Sequence, residues 1–105
     1  MNHYILDKDK NIIEASLLEW AKFFENGKNR VVKQEDVDGY FISTMFVGIV
    51  LDVFYSGDPN LFETMVFKDQ KSLGYCGRYS SWKEAEEGHI AAIEWVKTGC
   101  KEDLE

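Results

Sequence analysis

The first segment with helical periodicity has apolar residues recurring three and four positions apart, which predicts one apolar stripe along a helix. The stripe consists of Leu17, Trp20, Ala21 and Phe24, and Leu18 and Phe23 flank it. Ser16 and Glu19 have the spacing of a capping box, in which each side chain accepts a backbone N–H of the other residue. A helix therefore begins at Leu17 and ends at Asn26-Gly27, where glycine can adopt a left-handed conformation.

The second helical segment follows the same capping pattern near the end of the chain. Ser81 and Glu84 form its capping box, and Thr98-Gly99 marks its end. Its apolar face is predicted to carry Trp82, Ala85, His89, Ala92, Ile93 and Val96. A histidine therefore falls near the centre of a face that should pack against a sheet.

Short runs of β-branched and aromatic residues separated by turn residues predict the strands. They cover residues 3–6, 12–14, 30–34, 40–54, 61–67 and 75–79. Residues 40–54 are apolar on both alternating sides, which is typical of a strand covered on both faces or shared with a partner subunit. The short turns between strands favour antiparallel pairing. We predict an α+β domain with an antiparallel sheet of four to five strands, two helices packed on it, and the order β(β)αββββα.

The composition adds limits to this picture. A chain of 105 residues with 45% hydrophobic and 14% aromatic residues fits a single domain over residues 1–100, followed by a polar tail at 101–105. Its last two residues, Leu104-Glu105, could be a cloning remnant. With 12 basic and 19 acidic side chains the net charge is −7, which disfavours direct binding to nucleic acid.

The same composition bears on location. The longest apolar run, residues 45–51, is far shorter than the roughly 20 residues of a membrane-spanning helix, so no membrane association is expected. Cys76 and Cys100 form no CxxC pair, and the N-terminal sequence lacks the pattern of a signal peptide. We expect free thiols and a cytoplasmic protein.

Several blocks of sequence, spread over nearly the whole chain, resemble a family of short uncharacterised proteins of bacteriophages and prophage-like bacterial regions. They are Tyr4-Ile5-Leu6-Asp7, Leu17-Leu18-Glu19-Trp20-Ala21, Ser43-Thr44-Met45-Phe46-Val47-Gly48, Phe62-Glu63-Thr64-Met65-Val66-Phe67 and Arg78-Tyr79-Ser80-Ser81-Trp82-Lys83-Glu84-Ala85-Glu86-Glu87-Gly88-His89. The resemblance implies a phage setting, in the cytoplasm of a bacterial host, and no particular activity. Relatives carry an Asp-His pair and a glycine-rich turn after the central strand, where this chain has Leu51-Asp52-Val53-Phe54-Tyr55-Ser56-Gly57.

Three polar residues stand out as candidates for a site. Glu63 interrupts an apolar strand, Arg78 lies on a neighbouring one, and His89 should point from the second helix into the sheet. A buried imidazole or carboxylate needs partners, and a Glu63–Arg78–His89 cluster would satisfy all three. Such a cluster could bind a polar ligand or serve only as a structural network, in which His89 bonds Glu63 or a strand carbonyl.

Arg30 and Arg78 are the only arginines, and with the aromatic residues they offer the components of a nucleotide pocket. We expect no metal, because Glu63 and His89 supply too few ligands, and no cofactor. No serine lies in a nucleophile motif, and Ser81 is accounted for as a helix cap. Trp95 and Phe23 are candidates for the surface of a homodimer or higher homo-oligomer.

Three functions remain open at this point. The first is a non-enzymatic phage accessory protein that antagonises host defence by sequestering a nucleotide signal. The second is an acidic inhibitor that mimics nucleic acid and binds a host defence protein. The third is a small enzyme in which Glu63 and His89 perform acid–base chemistry.

Overall fold

A computed structural model describes residues 3–49 and 59–100 of the chain. The described elements are the strands β1 (His3–Leu6), β2 (Ile12–Ala15), β3 (Val31–Val37), β4 (Tyr40–Phe46), β5 (Phe62–Lys68) and β6 (Lys71–Tyr79), and the helices α1 (Leu17–Glu25) and α2 (Trp82–Lys97). A short 3-10 helix, Gly27–Arg30, joins α1 to β3. The predicted α+β class and order of elements are confirmed.

The strands form two antiparallel sheets. β1 and β2 pair as a hairpin, and α1 packs against this small sheet. The other four strands form a second sheet in the order β3-β4-β5-β6, so each strand pairs with its neighbour in sequence. The two sheets meet near Gly48, whose carbonyl accepts the Tyr4 N–H at 2.8 Å.

Helix α2 packs along one face of the four-stranded sheet and contacts all four strands. Its buried residues are Ala85, His89, Ala92 and Val96, spaced as the sequence predicts. They meet the side chains of β4 and β5 that point to this face, including Ile42, Phe46, Phe62 and Val66, all of which are fully buried. Burial of aromatic and β-branched side chains between helix and sheet is the main source of stability here.

The predicted central strand is shorter than its apolar pattern indicates. β4 ends at Phe46, and Gly48 then takes a φ of +70°, which turns the chain away from the sheet. Among the described residues between β4 and β5, Ile49 alone pairs again, in an isolated bridge to His3 of the small sheet. The predicted residues 50–54 of that strand, the 56–58 part of the next turn and the 101–105 tail lie outside the described residues.

The first helix departs from its predicted stripe. Trp20, Phe23 and Phe24 are partly buried, and the two phenylalanines contact Phe46 of β4, but Leu17 and Leu18 are 61% and 71% exposed. The Ser16–Glu19 capping box is present, and the Ser16 N–H holds the pKa of the Glu19 carboxyl below its usual range. The prediction that Gly27 ends the helix in a left-handed conformation is wrong, because its φ is not positive. Instead the Asn26 side chain caps the following 3-10 helix by accepting the Lys28 N–H.

The hairpin between β3 and β4 is tighter than expected. The sequence predicts that this strand ends at Gln34 and that an acidic connection follows. In the structure β3 continues to Val37, and only Asp38 and Gly39 form the turn. Both turn residues have positive φ, at 52° and 86°, which suits a two-residue hairpin.

Among the described residues, no helix is long and apolar enough to cross a lipid bilayer.

Candidate functional site

A chain of hydrogen bonds connects the buried histidine to three strands. His89 Nδ1 lies 2.6 Å from Thr44 Oγ1 of β4, and Thr44 Oγ1 lies 2.6 Å from Thr64 Oγ1 of β5. On the other side of the ring, His89 Nε2 lies 2.7 Å from a carboxylate oxygen of Glu35 on β3. The network therefore ties α2 to the three strands β3, β4 and β5.

The network has a consistent arrangement of protons. An ionised Glu35 carboxylate can only accept, so His89 Nε2 donates to it. With a neutral ring, Nδ1 then accepts the Thr44 hydroxyl, and Thr44 in turn accepts the Thr64 hydroxyl. Each of the buried groups thus has a partner, as burial in an apolar surrounding requires.

A hydroxyl, an imidazole and a carboxylate in this order resemble the groups of an acyl-transfer triad. However, Thr44 and Thr64 have no exposed surface, and His89 is only 2% exposed. A substrate carbonyl could not approach Thr44 without opening the core, so the arrangement fits a structural role. In the part of the chain that the structure describes, no three His, Cys, Asp or Glu side chains cluster in a way that could hold a metal ion.

The predicted cluster of Glu63, Arg78 and His89 does not form. Glu63 alternates with the buried residues of β5 and points to the face of the sheet opposite α2, while His89 lies on the α2 side. Glu63 does pair with Arg78, at 3.6 Å between Oε2 and Nε, as their opposed positions on β5 and β6 allow. Glu63 and His89 therefore lie on opposite faces of the sheet, an arrangement that does not favour joint acid–base chemistry.

The side of the four-stranded sheet opposite α2 is called the open face, because neither helix of the described residues lies over it. It carries Gln34, Asp36, Phe41, Ser43, Met45, Glu63, Met65, Phe67 and Arg78. Its centre is apolar and is partly exposed. Ser43 is the most buried of these residues, and it accepts a hydrogen bond from the Gln34 amide at 2.9 Å.

Arg30 borders the open face at the start of β3. Its guanidinium lies over the Phe24 ring, 4.7 Å from the centroid, which is a favourable cation–π position. Its Nε is shielded from solvent and has no hydrogen-bond partner among the described residues. No ion pair within residues 3–49 and 59–100 engages this charge. Because Nε is shielded, an external anion would meet the outer nitrogens of the guanidinium, and the lack of an acidic partner within the described residues makes this charge the one here most suited to an anion.

A hollow of about 240 Å³ lies beside Arg30. It is lined by Arg30, Ser43, Met45, Val47, Glu63, Met65 and Phe67. The hollow is small for a whole nucleotide, since ligand pockets usually hold roughly 300–1,000 Å³. A second hollow of about 480 Å³ adjoins it and shares Phe67, so a ligand could extend from one into the other.

Three of the four predicted ligand-binding residues, Arg30, Glu63 and Arg78, thus border one face, and His89 does not. The two candidate interface residues are both half-buried. Phe23 makes an edge contact with Phe46 at 5.9 Å, and Trp95 packs beside the buried Val96 cluster. Neither is among the large hydrophobic side chains that the described residues expose most.

Glu35, Thr44 and Thr64 belong to the network around His89 and were not selected from the sequence. The predicted strand 30–34 stops before Glu35, because the charged residues that follow Gln34 are typical of a turn. The Asp38-Gly39 pair is a strong signal for a two-residue hairpin and would have extended β3 through Glu35. The parity of Thr44 with Ile42 and Phe46 indicates a buried position.

Comparison with known proteins finds no matching family model, no matching curated protein and no matching solved structure.

Proposed function

We propose that this protein acts by binding, and that the open face receives a small anionic ligand of nucleotide type with Arg30 as its main anion contact. The observation that carries the proposal is the Arg30 guanidinium, which borders a hollow and has no hydrogen-bond or ion-pair partner within the described residues. Arginine binds phosphate well because its fixed set of donors matches two phosphate oxygens at once.

The surroundings of Arg30 support a ligand with an aromatic part. Phe67 lines both hollows and lies 6.3 Å from the Phe41 ring, which leaves apolar surface beside the cation. Arg78 and Glu63 offset one another, so the face keeps a local charge near +1 at this end despite the net charge of −7. A base or sugar would lie over the methionine and phenylalanine side chains while the phosphate meets Arg30.

The sequence resembles a family of bacteriophage proteins. In a phage, such binding would sequester a nucleotide signal of host defence and so antagonise that defence. The buried polar network supports this reading over catalysis, because its hydroxyl and imidazole are out of reach of a substrate. The acidic surface favours a second candidate, an inhibitor that mimics nucleic acid and binds a basic host protein.

Thermal denaturation with a panel of nucleoside phosphates and cyclic dinucleotides, and with inorganic phosphate, tests the proposal. A ligand at about 100 times its dissociation constant stabilises the folded state by about 2.7 kcal/mol. For a domain of this size, that raises the melting temperature by roughly 10 °C or more. Mass spectrometry of the ligand recovered after heat denaturation should find it chemically unchanged.

Arg30→Met removes the charge and keeps an apolar stem over Phe24, so it should abolish the stabilisation by ligand. Lys28→Met is the matched control, since it makes the same change of charge at an exposed position of the same 3-10 helix. Equal stabilisation of Arg30→Met and the wild-type protein would overturn the site. Mimicry would be favoured instead if the protein captures a basic host protein in a pull-down, salt weakens that capture, and nucleotides do not stabilise the fold.

A further inference from the structure

The open face is oppositely charged at its two ends. Arg30 lies at the end where β3 begins, and Asp36 and Asp69 border the larger hollow at the hairpin end. Neither aspartate makes a side-chain hydrogen bond or ion pair with any residue that the structure describes. Both charges are therefore available to groups beyond the described residues.

The middle of the face, the row through Ser43, lies between these charges and has apolar side chains on either side of it. Phe41 and Met45 are each two residues from Ser43 on β4, which is about 7 Å along a strand in either direction. Asp36 pairs with Phe41, and Arg30 directly precedes Val31, the partner of Met45. Along the strands, Asp36 is thus about 7 Å from this row and Arg30 about 10 Å, a difference of one residue.

We propose that a second copy of this chain docks on the open face, related by a two-fold axis that runs across the strands near Ser43. This operation exchanges the two ends, so that Arg30 of each copy meets Asp36 of the other. The apolar side chains Phe41 and Met45 then lie over each other across the interface. Two equivalent ion pairs and one apolar centre form, as an interface between identical surfaces requires.

Charge selects this arrangement over the alternative. A two-fold axis along the strands would set Arg30 of one copy near Arg78 of the other, at the two outer edges of the sheet. Arg78 is already paired with Glu63, so this arrangement offers Arg30 no unpaired acidic partner. Each copy also carries a net charge of −7, so the local Arg30–Asp36 pairs must offset a general repulsion.

The dimensions of the face indicate a weak and reversible dimer. Four strands about 4.8 Å apart and roughly 20 Å long present only a few hundred Å² per copy. Stable interfaces bury about 800 Å² per partner, so this one belongs to the transient class. Because the second copy and an anionic ligand use the same guanidinium, ligand binding to Arg30 should dissociate the dimer.

Sedimentation equilibrium over a dilution series tests the dimer. Arg30→Glu and Asp36→Arg should each weaken self-association by about tenfold or more, since each variant sets like charges together. A one-to-one mixture of the two variants should recover the association of the wild type. In the mixed dimer, residue 30 of each copy again meets a residue 36 of opposite charge, so both ion pairs form. Lys28→Glu and Glu86→Arg make the same charge changes away from the face and should leave association unchanged.

A monomeric wild-type protein at the highest soluble concentration would overturn the dimer, and so would a mixture of folded variants that stays monomeric. Circular dichroism confirms that each variant is folded. Asp36→Arg keeps Arg30, so it should still be stabilised by nucleotide even though it no longer associates. If the wild-type protein dimerises but no nucleotide stabilises it against heat, the proposed function is rejected and this interface stands.

Discussion

At the residue scale, Thr44 has a larger role than its size indicates. Within the part of the chain that the structure describes, its hydroxyl alone bridges the His89 ring and Thr64, and all three side chains are buried. A hydroxyl in this position both donates and accepts, which no aliphatic residue of the same shape can do. Its removal leaves two buried polar groups without their partner at once.

Thr44→Val should destabilise the protein by about 1–3 kcal/mol, because His89 Nδ1 and the Thr64 hydroxyl both lose a hydrogen bond while the packing is kept. Thr64→Val is the matched control, since it removes only the bond between the two threonines. Urea denaturation of both variants measures the difference. Equal destabilisation by the two substitutions would show that the bond to His89 contributes little.

At the element scale, the junction between the two sheets depends on Gly48. A Cβ at this position would lie 2.6 Å from the Tyr4 carbonyl oxygen and 2.7 Å from Trp20 Nε1. Both distances are shorter than real Cβ contacts, and the first involves backbone that is already hydrogen-bonded to Gly48. The small sheet, α1 and the end of β4 can approach each other this closely only because residue 48 has no side chain.

Gly48→Ala should therefore cost about 2 kcal/mol more than Gly39→Ala. Both glycines have positive φ, and a side chain there costs about 1–2 kcal/mol in either place. Gly39 has open space around it, so it isolates this conformational cost from the clash at Gly48. Thermal and urea denaturation provide the comparison, and similar stabilities for the two variants would contradict the proposed close contact.

At the scale of the whole molecule, burial is uneven. α2 contributes four buried residues to the four-stranded sheet, and β4 and β5 supply most of the remaining buried side chains. α1 has no buried residue and lies on the two-stranded sheet. Since local stability follows the amount of buried apolar surface, the two parts should differ in how readily they open.

Amide hydrogen exchange should be slowest in β4, β5 and the middle of α2, where opening requires global unfolding. The amides of α1 should exchange faster by about tenfold or more, because α1 can separate from the small sheet while the larger one stays intact. Exchange measured by NMR resolves these segments in one experiment. Protection in α1 equal to that in β4 would mean that the molecule opens as a single unit.

Much of the fold could be predicted from local patterns. The capping boxes at Ser16 and Ser81 lie where the helices begin, because a cap depends on residues only three positions apart. His89 is buried because its spacing from Ala85 and Ala92 repeats along one helix face. The pairing of Glu63 with Arg78 followed from their positions on adjacent antiparallel strands.

By itself, the sequence determined the α+β class, the order of elements and the burial of His89, since these depend on periodicity and on short-range hydrogen bonds. Only the tertiary structure decided that His89 meets Glu35 and Thr44, which lie 54 and 45 residues away. It also decided that Arg30 and Glu63 share a face, because the register of strand pairing brings together residues that are far apart in the sequence.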